Sequence, residues 1–198
     1  SAARLFIVSD ADPTGSDLGT YVQTASSVLA AKNIPTSSPL TIVYGRESAA
    51  QAGDIVIRTD SSATGHRGGY VLDISAGGIS ITADDAEGVL YALTTLAQTC
   101  TSGTVLKCTT VTDWPDVAER SVYLDCGRIY FAPATLKALI RTMAWNRMNV
   151  LYLDFSNNNA TRFLLDDMDV TVGGMTYDIT TAAPSDGYLT QSDMDDII

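Results

Sequence analysis

Hydrophobic and polar positions along the first hundred residues follow the periods of two amphipathic helices and several short strands. Apolar residues recur every three or four positions from Leu18 to Leu29 and from Val89 to Ala97, which predicts two helices with one buried face each. Segments rich in β-branched residues and bounded by Gly, Ser or Asp predict strands in RLFIVSD, LTIVYG, DIVIRTD, GYVLDIS and GISITAD. We therefore expect an α+β domain in which two helices cover a sheet of about five strands.

The pattern changes after Ser121 to that of a strand, a helix and a second strand. SVYLDCGR predicts the first strand, and Pro133 suits the first turn of the following helix. The run from Asn149 to Phe155 is almost continuously apolar, as expected of a parallel strand buried on both faces. Thr190 and Asp193 form a capping box, which predicts another helix at the end of the chain.

A charged, proline-containing segment separates these two regions. It is TDWPDVAER, from Thr112 to Arg120, and it lies between two apolar stretches. The sequence therefore predicts an accessory domain over residues 1–111, a junction over residues 112–120 and an incomplete second domain over residues 121–198.

Charge and hydropathy exclude several classes of partner. The 198 residues carry 12 Lys and Arg against 23 Asp and Glu, a formal net charge of -11, which disfavours nucleic acid and anionic membrane. The chain has no apolar run long enough to span a membrane, and its start lacks the basic and apolar regions of a signal peptide. We expect no membrane insertion and no signal peptide within this chain.

The cysteines and the single histidine give no sign of a metal site, and we expect no cofactor. No Cys-x-x-Cys spacing occurs, and His66 has no ligand partner near it in the sequence. Cys100 and Cys108 flank a short turn, where a disulfide and two free thiols are both consistent with the sequence. Cys126 is predicted to be a small buried apolar residue. For Trp114 we expect packing in the core or an interface.

Several strings of the chain carry a more specific pattern. LDCGRIYFAP combines Leu-Asp, two variable residues, an arginine and a proline-started helix, and GISITADDAEGVLYALTTLAQ combines a strand with a capped helix. Together with TDWPDVAERS, they resemble glycoside hydrolase family 20, the exo-acting β-N-acetylhexosaminidases. RFLLDDM and GYLTQSDMDDII resemble a Gram-positive cell-surface subset of that family.

The resemblance implies a fold and an activity. The second domain would hold the first two βα units of a TIM (β/α)8 barrel, with the active site at the carboxyl ends of its strands. The parent enzyme would remove terminal β-linked N-acetylglucosamine or N-acetylgalactosamine from glycans by substrate-assisted retaining hydrolysis. The family's catalytic Asp-Glu pair ends the fourth barrel strand, so we expect this chain alone to be inactive. The implied location is secreted or on a bacterial cell surface.

The resemblance also implies substrate-binding residues. Arg128 matches the arginine that holds hydroxyls of the terminal sugar, and a guanidinium with several fixed donors suits that role. From the spacing alone, an ion pair between Arg128 and Asp125 that only stiffens the loop is the stronger interpretation. After the second strand, Asn157, Asn158 and Asn159 stand where the family carries supporting aspartates.

Asp154 is a weaker candidate at the same strand end, where neighbouring backbone amides would satisfy its carboxylate. The alternative to an enzyme fragment is a non-catalytic carbohydrate-binding or interaction module. Because two parallel strands cannot close a barrel, we also expect self-association or a mobile second half.

Overall fold

The computed structural model describes residues 4–9, 17–31, 41–100, 106–157, 161–164, 169–177 and 184–198. The chain divides into two compact units, an N-terminal unit over Ser1–Ala118 and a C-terminal unit over Glu119–Ile198.

The N-terminal unit is a six-stranded mixed sheet with two helices. Its elements are β1 (Arg4–Val8), α1 (Asp17–Ala31), β2 (Thr41–Gly45), a 3-10 turn (Glu47–Ala49), β3 (Ile55–Thr59), β4 (Tyr70–Ser75), β5 (Gly78–Ala83), α2 (Ala86–Thr99) and β6 (Thr109–Asp113). The strand order is β2-β1-β3-β5-β4-β6. The first four strands in that order run parallel, and β4 is antiparallel to both β5 and β6.

A continuous apolar core joins the sheet to both helices of this unit. Its largest fully buried side chains include Tyr70, Tyr91, Ile57, Leu72 and Leu93. The two helices also pack on each other, and Val22 and Ala25 of α1 lie in the same core as Val89 and Leu93 of α2. The predicted strands and helices of this region are confirmed.

The sheet has one strand more than the sequence predicts. Strand β6 pairs with β4 from Thr109, opposite Ile74, to Asp113, opposite Tyr70. It extends two residues beyond the expected domain end at Val111. The hydrophobic pattern does not predict this strand, because Val111 is its single apolar residue and its other four side chains are exposed. Trp114, which follows it, is 40% exposed and stacks on His66 with ring centroids 4.5 Å apart, so core packing is the wrong interpretation for this residue.

Local turn and cap chemistry in the N-terminal unit agrees with the sequence. Ser75 and Gly78 face each other across the two-residue hairpin between β4 and β5, and Gly78 has a positive φ of 138°. Asp85 caps α2 by accepting a hydrogen bond from the Gly88 amide at 2.8 Å. Asp84 instead accepts hydrogen bonds from the amides of Thr64 and Gly65, which holds the preceding loop.

The C-terminal unit begins with a parallel strand pair bridged by a helix. Its elements are β7 (Ser121–Asp125), α3 (Pro133–Trp145), β8 (Val150–Asp154), β9 (Phe163–Leu164), β10 (Val170–Val172), β11 (Met175–Tyr177), β12 (Leu189–Thr190) and α4 (Gln191–Ile197). Pro133 occupies the first turn of α3, as predicted. The predicted capping box is also confirmed, since the Thr190 hydroxyl accepts from the Asp193 amide and the Asp193 carboxylate from the Thr190 amide.

All three cysteines are free thiols in the structure, and Cys126 is buried as expected. Burial raises the pKa of the Cys100 and Cys126 thiols. None of the helices in the described part of the chain is both long and apolar enough to cross a membrane.

Candidate functional site

Polar side chains gather where β7 and β8 end. The two strands are parallel and in register from Ser121, opposite Val150, to Asp125, opposite Asp154. Their carboxyl ends therefore lie side by side, and the loops that follow them meet at one edge. This edge holds three of the residues that the sequence predicts as candidates, Arg128, Asp154 and Asn157.

Asp125 is the centre of this cluster. Its Oδ1 accepts hydrogen bonds from the Arg128 amide at 3.1 Å and from Asn157 Nδ2 at 2.9 Å, and its Oδ2 accepts one from Arg128 Nε at 3.0 Å. The carboxylate thus fixes an arginine from its own loop and an asparagine from the loop after β8. The ion pair that the spacing alone predicted between Arg128 and Asp125 is present.

That ion pair leaves most of the Arg128 guanidinium available. The side chain is 61% exposed, and its bond to Asp125 uses Nε. No hydrogen bond from Nη1 or Nη2 to another residue is seen within the part of the chain that the structure describes. Four N–H donors of fixed geometry remain for a ligand.

Asp154 lies beside the cluster with partners of its own. Its Oδ2 accepts a 2.6 Å hydrogen bond from the Tyr123 hydroxyl, and its Oδ1 accepts a 3.3 Å bond from the Ser156 amide. Asp154 therefore accepts from the phenol of Tyr123 in addition to the backbone amide that the sequence predicts. Both bonds lower the pKa of Asp154, the Tyr123 bond contributing most, and Asp154 in turn raises the pKa of Tyr123. An ionised carboxylate accepts hydrogen bonds at neutral pH and is unsuited to donating a proton.

Asn157 is the one described member of the asparagine run, and Asn158 and Asn159 lie outside the described residues. Asn157 is half-buried against the loop after β7. A Cβ on Gly127 would lie 2.8 Å from Asn157 Cγ, so the glycine permits this close approach. The Gly127 amide also donates to the Asp154 carbonyl at 3.0 Å, which joins the two strand ends through the backbone.

The sequence patterns missed a buried arginine next to this cluster. Arg162 is 5% exposed, and it forms a two-pronged ion pair with Asp186 through Nη1–Oδ1 at 2.7 Å and Nη2–Oδ2 at 3.0 Å. That pair lowers the pKa of Asp186. The Nε of Arg162 donates to the Gly127 carbonyl at 3.4 Å. No spacing rule links residues so far apart, and the only available signal was an arginine inside the RFLLDDM string.

The two faces of the β7–β8 pair differ in character. Tyr123 and Tyr152 lie on the same face as Asp125 and Asp154, and are 63% and 49% exposed. On the other face, Leu151 and Leu153 line an apolar cavity of about 420 Å³ together with side chains of α3 and α4. The polar cluster therefore continues a face that carries aromatic rings.

No group of three or more His, Cys, Asp and Glu side chains that could hold a metal ion occurs among the residues the structure describes. The arrangement of one guanidinium, two carboxylates and an amide suits a neutral ligand rich in hydroxyl groups.

Comparison with known families covers nearly the whole chain. Residues 10–114 match the model for glycosyl hydrolase family 20, domain 2, and residues 118–198 match the model for the glycosyl hydrolase family 20, catalytic domain. Both models describe glycosyl hydrolases, the class of enzymes that cleave bonds to sugars. Because the first match alone spans more than half of the 198 residues, the chain belongs to glycosyl hydrolase family 20.

Individual relatives agree with this assignment. A beta-N-acetylhexosaminidase of Cellulomonas fimi is 34% identical over 97 residues, which are 47% of this chain and 20% of the relative. The Streptomyces plicatus N-acetyl-beta-hexosaminidase in complex with Thio-NAglucal is 25% identical with a TM-score of 0.67, over 98% of this chain and 38% of that protein. The beta-N-acetylhexosaminidase of Bacteroides fragilis shares the fold at 21% identity with a TM-score of 0.72, over 99% of this chain and 37% of that protein. The chain thus spans about a fifth to two fifths of these relatives.

Proposed function

We propose that the full-length protein removes terminal β-linked N-acetylglucosamine or N-acetylgalactosamine from glycans. In the substrate-assisted retaining mechanism, the substrate's own acetamido carbonyl acts as the nucleophile, and a general acid protonates the leaving oxygen. Membership of family 20 and the relatives named as hexosaminidases support this proposal.

Within that protein, this chain would supply the accessory domain predicted over residues 1–111 and the first two βα units of a TIM (β/α)8 barrel over residues 121–198. The junction predicted over residues 112–120 would include the last two residues of β6. The in-register parallel pair of β7 and β8, joined through α3 and followed by α4, is the arrangement that such a barrel repeats. The catalytic acidic pair would come from later strands, so we expect the 198-residue chain alone to be inactive.

The cluster of Asp125, Arg128 and Asn157 is the observation that carries the binding role. Asp125 holds Arg128 by Nε and so orients the planar guanidinium, whose free donors can bind adjacent sugar hydroxyls. Asn157 supports Asp125 with a neutral amide, so the carboxylate keeps Arg128 as its only cationic partner among the described residues. Asp154 is placed to accept a hydrogen bond, and Asn158 and Asn159 stay candidates for the same edge.

Activity measurements on a chromogenic N-acetylglucosaminide test this function. We expect the full-length protein to hydrolyse it and the 198-residue chain to leave it intact. Arg128→Ala in the full-length protein should lower kcat/KM by roughly 10- to 100-fold, because hydrogen bonds to a charged group each contribute about 1.5–3 kcal/mol.

The matched control is Arg67→Ala. Arg67 is also exposed, at 81%, and is also paired with a carboxylate, Glu87, but it lies in the N-terminal unit. Its replacement should leave kcat/KM within about twofold of wild type. Turnover by the 198-residue chain would contradict the expected inactivity, and wild-type kinetics for Arg128→Ala would refute the binding role.

The second candidate function is a non-catalytic carbohydrate-binding module, because the exposed Arg128 guanidinium could bind a sugar without catalysis. Calorimetric titration of the 198-residue chain with N-acetylglucosamine would favour it if binding is saturable, is lost in Arg128→Ala, and the full-length protein shows no turnover.

For location, we propose secretion or a bacterial cell surface, in the Gram-positive subset that the terminal strings resemble. An extracellular glycan substrate fits that location, and cell fractionation with an antibody to the protein checks it. We also propose that the exposed Tyr123 and Tyr152 face drives self-association of the 198-residue chain, which sedimentation analysis would detect.

A further inference from the structure

Arg162 links three segments of the C-terminal unit. Its side chain is 6% exposed, whereas that of its partner Asp186 is 60% exposed. Besides the ion pair, Nη1 donates to the Gly187 carbonyl at 2.8 Å, and Nε donates to the Gly127 carbonyl at 3.4 Å. A buried guanidinium with this many partners holds one geometry, because any rotation would leave buried donors unpaired.

The backbone of Arg162 is fixed as firmly as its side chain. Its amide donates to the Phe155 carbonyl at 2.9 Å, directly after β8, and its carbonyl accepts from the Leu189 amide at 2.7 Å in β12. The arginine is therefore attached at both ends to strand segments. Its guanidinium can therefore hold the groups that it contacts in a fixed position.

One of those contacts is with the loop that carries Arg128, the residue proposed to bind the sugar. Gly127 lies between Asp125 and Arg128, so a shift of its carbonyl moves the Arg128 backbone as well. Arg162 Nε approaches this peptide on one side, and Asn157 packs within 2.8 Å of where a Gly127 Cβ would stand. The loop is thus held between the buried arginine and the asparagine.

A second contact joins the segment around Asp186 to the same loop. Gly187 has a φ of 124°, and a Cβ there would lie 2.6 Å from the Tyr130 ring. Tyr130 follows Arg128 by two residues. The segment from Pro184 to Tyr188 therefore touches the Arg128 loop through Tyr130 and, by way of Arg162, through Gly127.

We infer that Arg162 and Asp186 form a positioning pair that sets the geometry of the Arg128 loop for sugar binding. Neither residue is required to touch the sugar. The pair holds Gly127 and Tyr130, and these hold Arg128 and Asp125 in register with Asn157. This inference rests on the proposed function, because it assigns the pair to a sugar-binding loop.

The test uses Asp186→Asn in the full-length protein, since this exposed carboxylate can be replaced by its isostere without opening a cavity. We expect KM for the chromogenic N-acetylglucosaminide, and the inhibition constant for free N-acetylglucosamine, to rise about tenfold, because a binding group misplaced by a distant change weakens binding on that scale. Arg162→Lys keeps the positive charge but cannot form the two parallel hydrogen bonds to Asp186. It should therefore raise KM and the inhibition constant by a similar factor.

The control for losing an Arg–Asp pair as such is Asp54→Asn. Arg4 and Asp54 also form a two-pronged ion pair, here through Nε–Oδ1 at 2.8 Å and Nη2–Oδ2 at 2.7 Å, but in the N-terminal unit. This variant should lower the thermal midpoint and leave both binding constants within about twofold of wild type.

A double variant separates positioning from general stability. If the pair acts through Arg128, then Asp186→Asn should add less than about twofold to the loss already caused by Arg128→Ala. Unchanged constants for Asp186→Asn, or the same tenfold rise in the Arg128→Ala background, would overturn the inference while leaving the sugar-binding role intact. Wild-type constants for Arg128→Ala alone would instead overturn the proposed function, and this inference with it.

Discussion

The two units of this chain bury their apolar side chains to different degrees. In the N-terminal unit, 17 buried residues form one core between a six-stranded sheet and two helices. In the C-terminal unit, the described strands form three sheets of two strands each. One face of the β7–β8 pair carries exposed Tyr123 and Tyr152, and the other borders an apolar cavity of about 420 Å³. The unit with the closed core holds none of the proposed ligand-binding residues, and the open unit holds all of them.

Burial and hydrogen bonding have different roles in the two units. The N-terminal unit removes Ile57, Leu72 and Leu93 fully from water, which is the main source of folding free energy. In the C-terminal unit, polar links join the loops, such as Asp125 with Asn157 and Arg162 with Asp186. Such links fix geometry more than they add stability.

Core truncation gives the largest expected effect and tests the comparison directly. Leu72→Ala in the N-terminal core should lower the free energy of unfolding by about 2–5 kcal/mol. Leu153→Ala, where a half-buried leucine already borders a cavity, should cost about 1 kcal/mol. Urea unfolding of the 198-residue chain measures both changes. The comparison fails if the Leu153 variant loses as much as the Leu72 variant.

Each unit contains one tryptophan, so fluorescence can follow them separately. Trp114 stacks on His66 in the N-terminal unit, and Trp145 ends α3 in the C-terminal unit. Trp145→Phe leaves only Trp114, and Trp114→Phe leaves only Trp145. We expect the Trp145 signal to change at lower urea concentration, since fewer apolar side chains are buried around it.

Amide hydrogen exchange should show the same contrast with a smaller effect per residue. Amides of β3, β5 and β4 lie inside the sheet and should exchange only through global unfolding of their unit. Amides of β7 and β8 should exchange roughly tenfold or more faster. Equal protection across both sheets in the 198-residue chain would contradict the comparison.

Ionisable groups should make the stability of both units depend on pH. Asp54 hydrogen-bonded to Arg4, and Asp186 hydrogen-bonded to Arg162, have lowered pKa values, so each stabilises its unit above about pH 4 and ceases to do so as the pH falls through its folded pKa. Acid therefore weakens both units.

Two exposed tyrosines of the C-terminal unit have raised pKa values. Tyr123 donates to Asp154 and Tyr152 to Glu119, so each folded phenol stabilises the unit below about pH 10, and that contribution disappears as the pH rises through the raised pKa. The thermal midpoint reported by the Trp145 signal should therefore fall above pH 10. Tyr123→Phe should reduce this alkaline decrease, and an unchanged decrease would contradict the assignment.

Arg128→Ala should have the smallest effect on stability, despite its expected effect on binding. The side chain is 61% exposed, and its pair with Asp125 spans three residues at the surface, so truncation should change the free energy of unfolding by less than about 1 kcal/mol. A larger loss would show that Arg128 is a structural residue, as the spacing alone suggested.

The sequence predicted elements defined by local signals and missed those defined by pairing. Apolar periodicity identified both amphipathic helices, and short-range cap chemistry identified the Thr190–Asp193 box. Strand β6 was missed because its residues are mostly exposed threonines, whose pairing with β4 depends on the rest of the sheet.

The same limit applies to the candidate site. Arg128 could be identified from a short motif, and its contact with Asp125 from spacing within one turn. The bonds from Asn157 to Asp125 and from Tyr123 to Asp154 depend on strand register, which one sequence does not specify. The pairing of Arg162 with Asp186 joins residues 24 positions apart and has no local signature.

The central claim is that the strand-end cluster around Arg128 binds the terminal sugar of a hexosaminidase substrate. The most direct test is the inhibition constant of N-acetylglucosamine for the full-length protein, compared among wild type, Arg128→Ala and the exposed control Arg67→Ala. We predict a rise of roughly 10- to 100-fold for Arg128→Ala and wild-type inhibition for Arg67→Ala. Equal inhibition constants for all three proteins would contradict the claim.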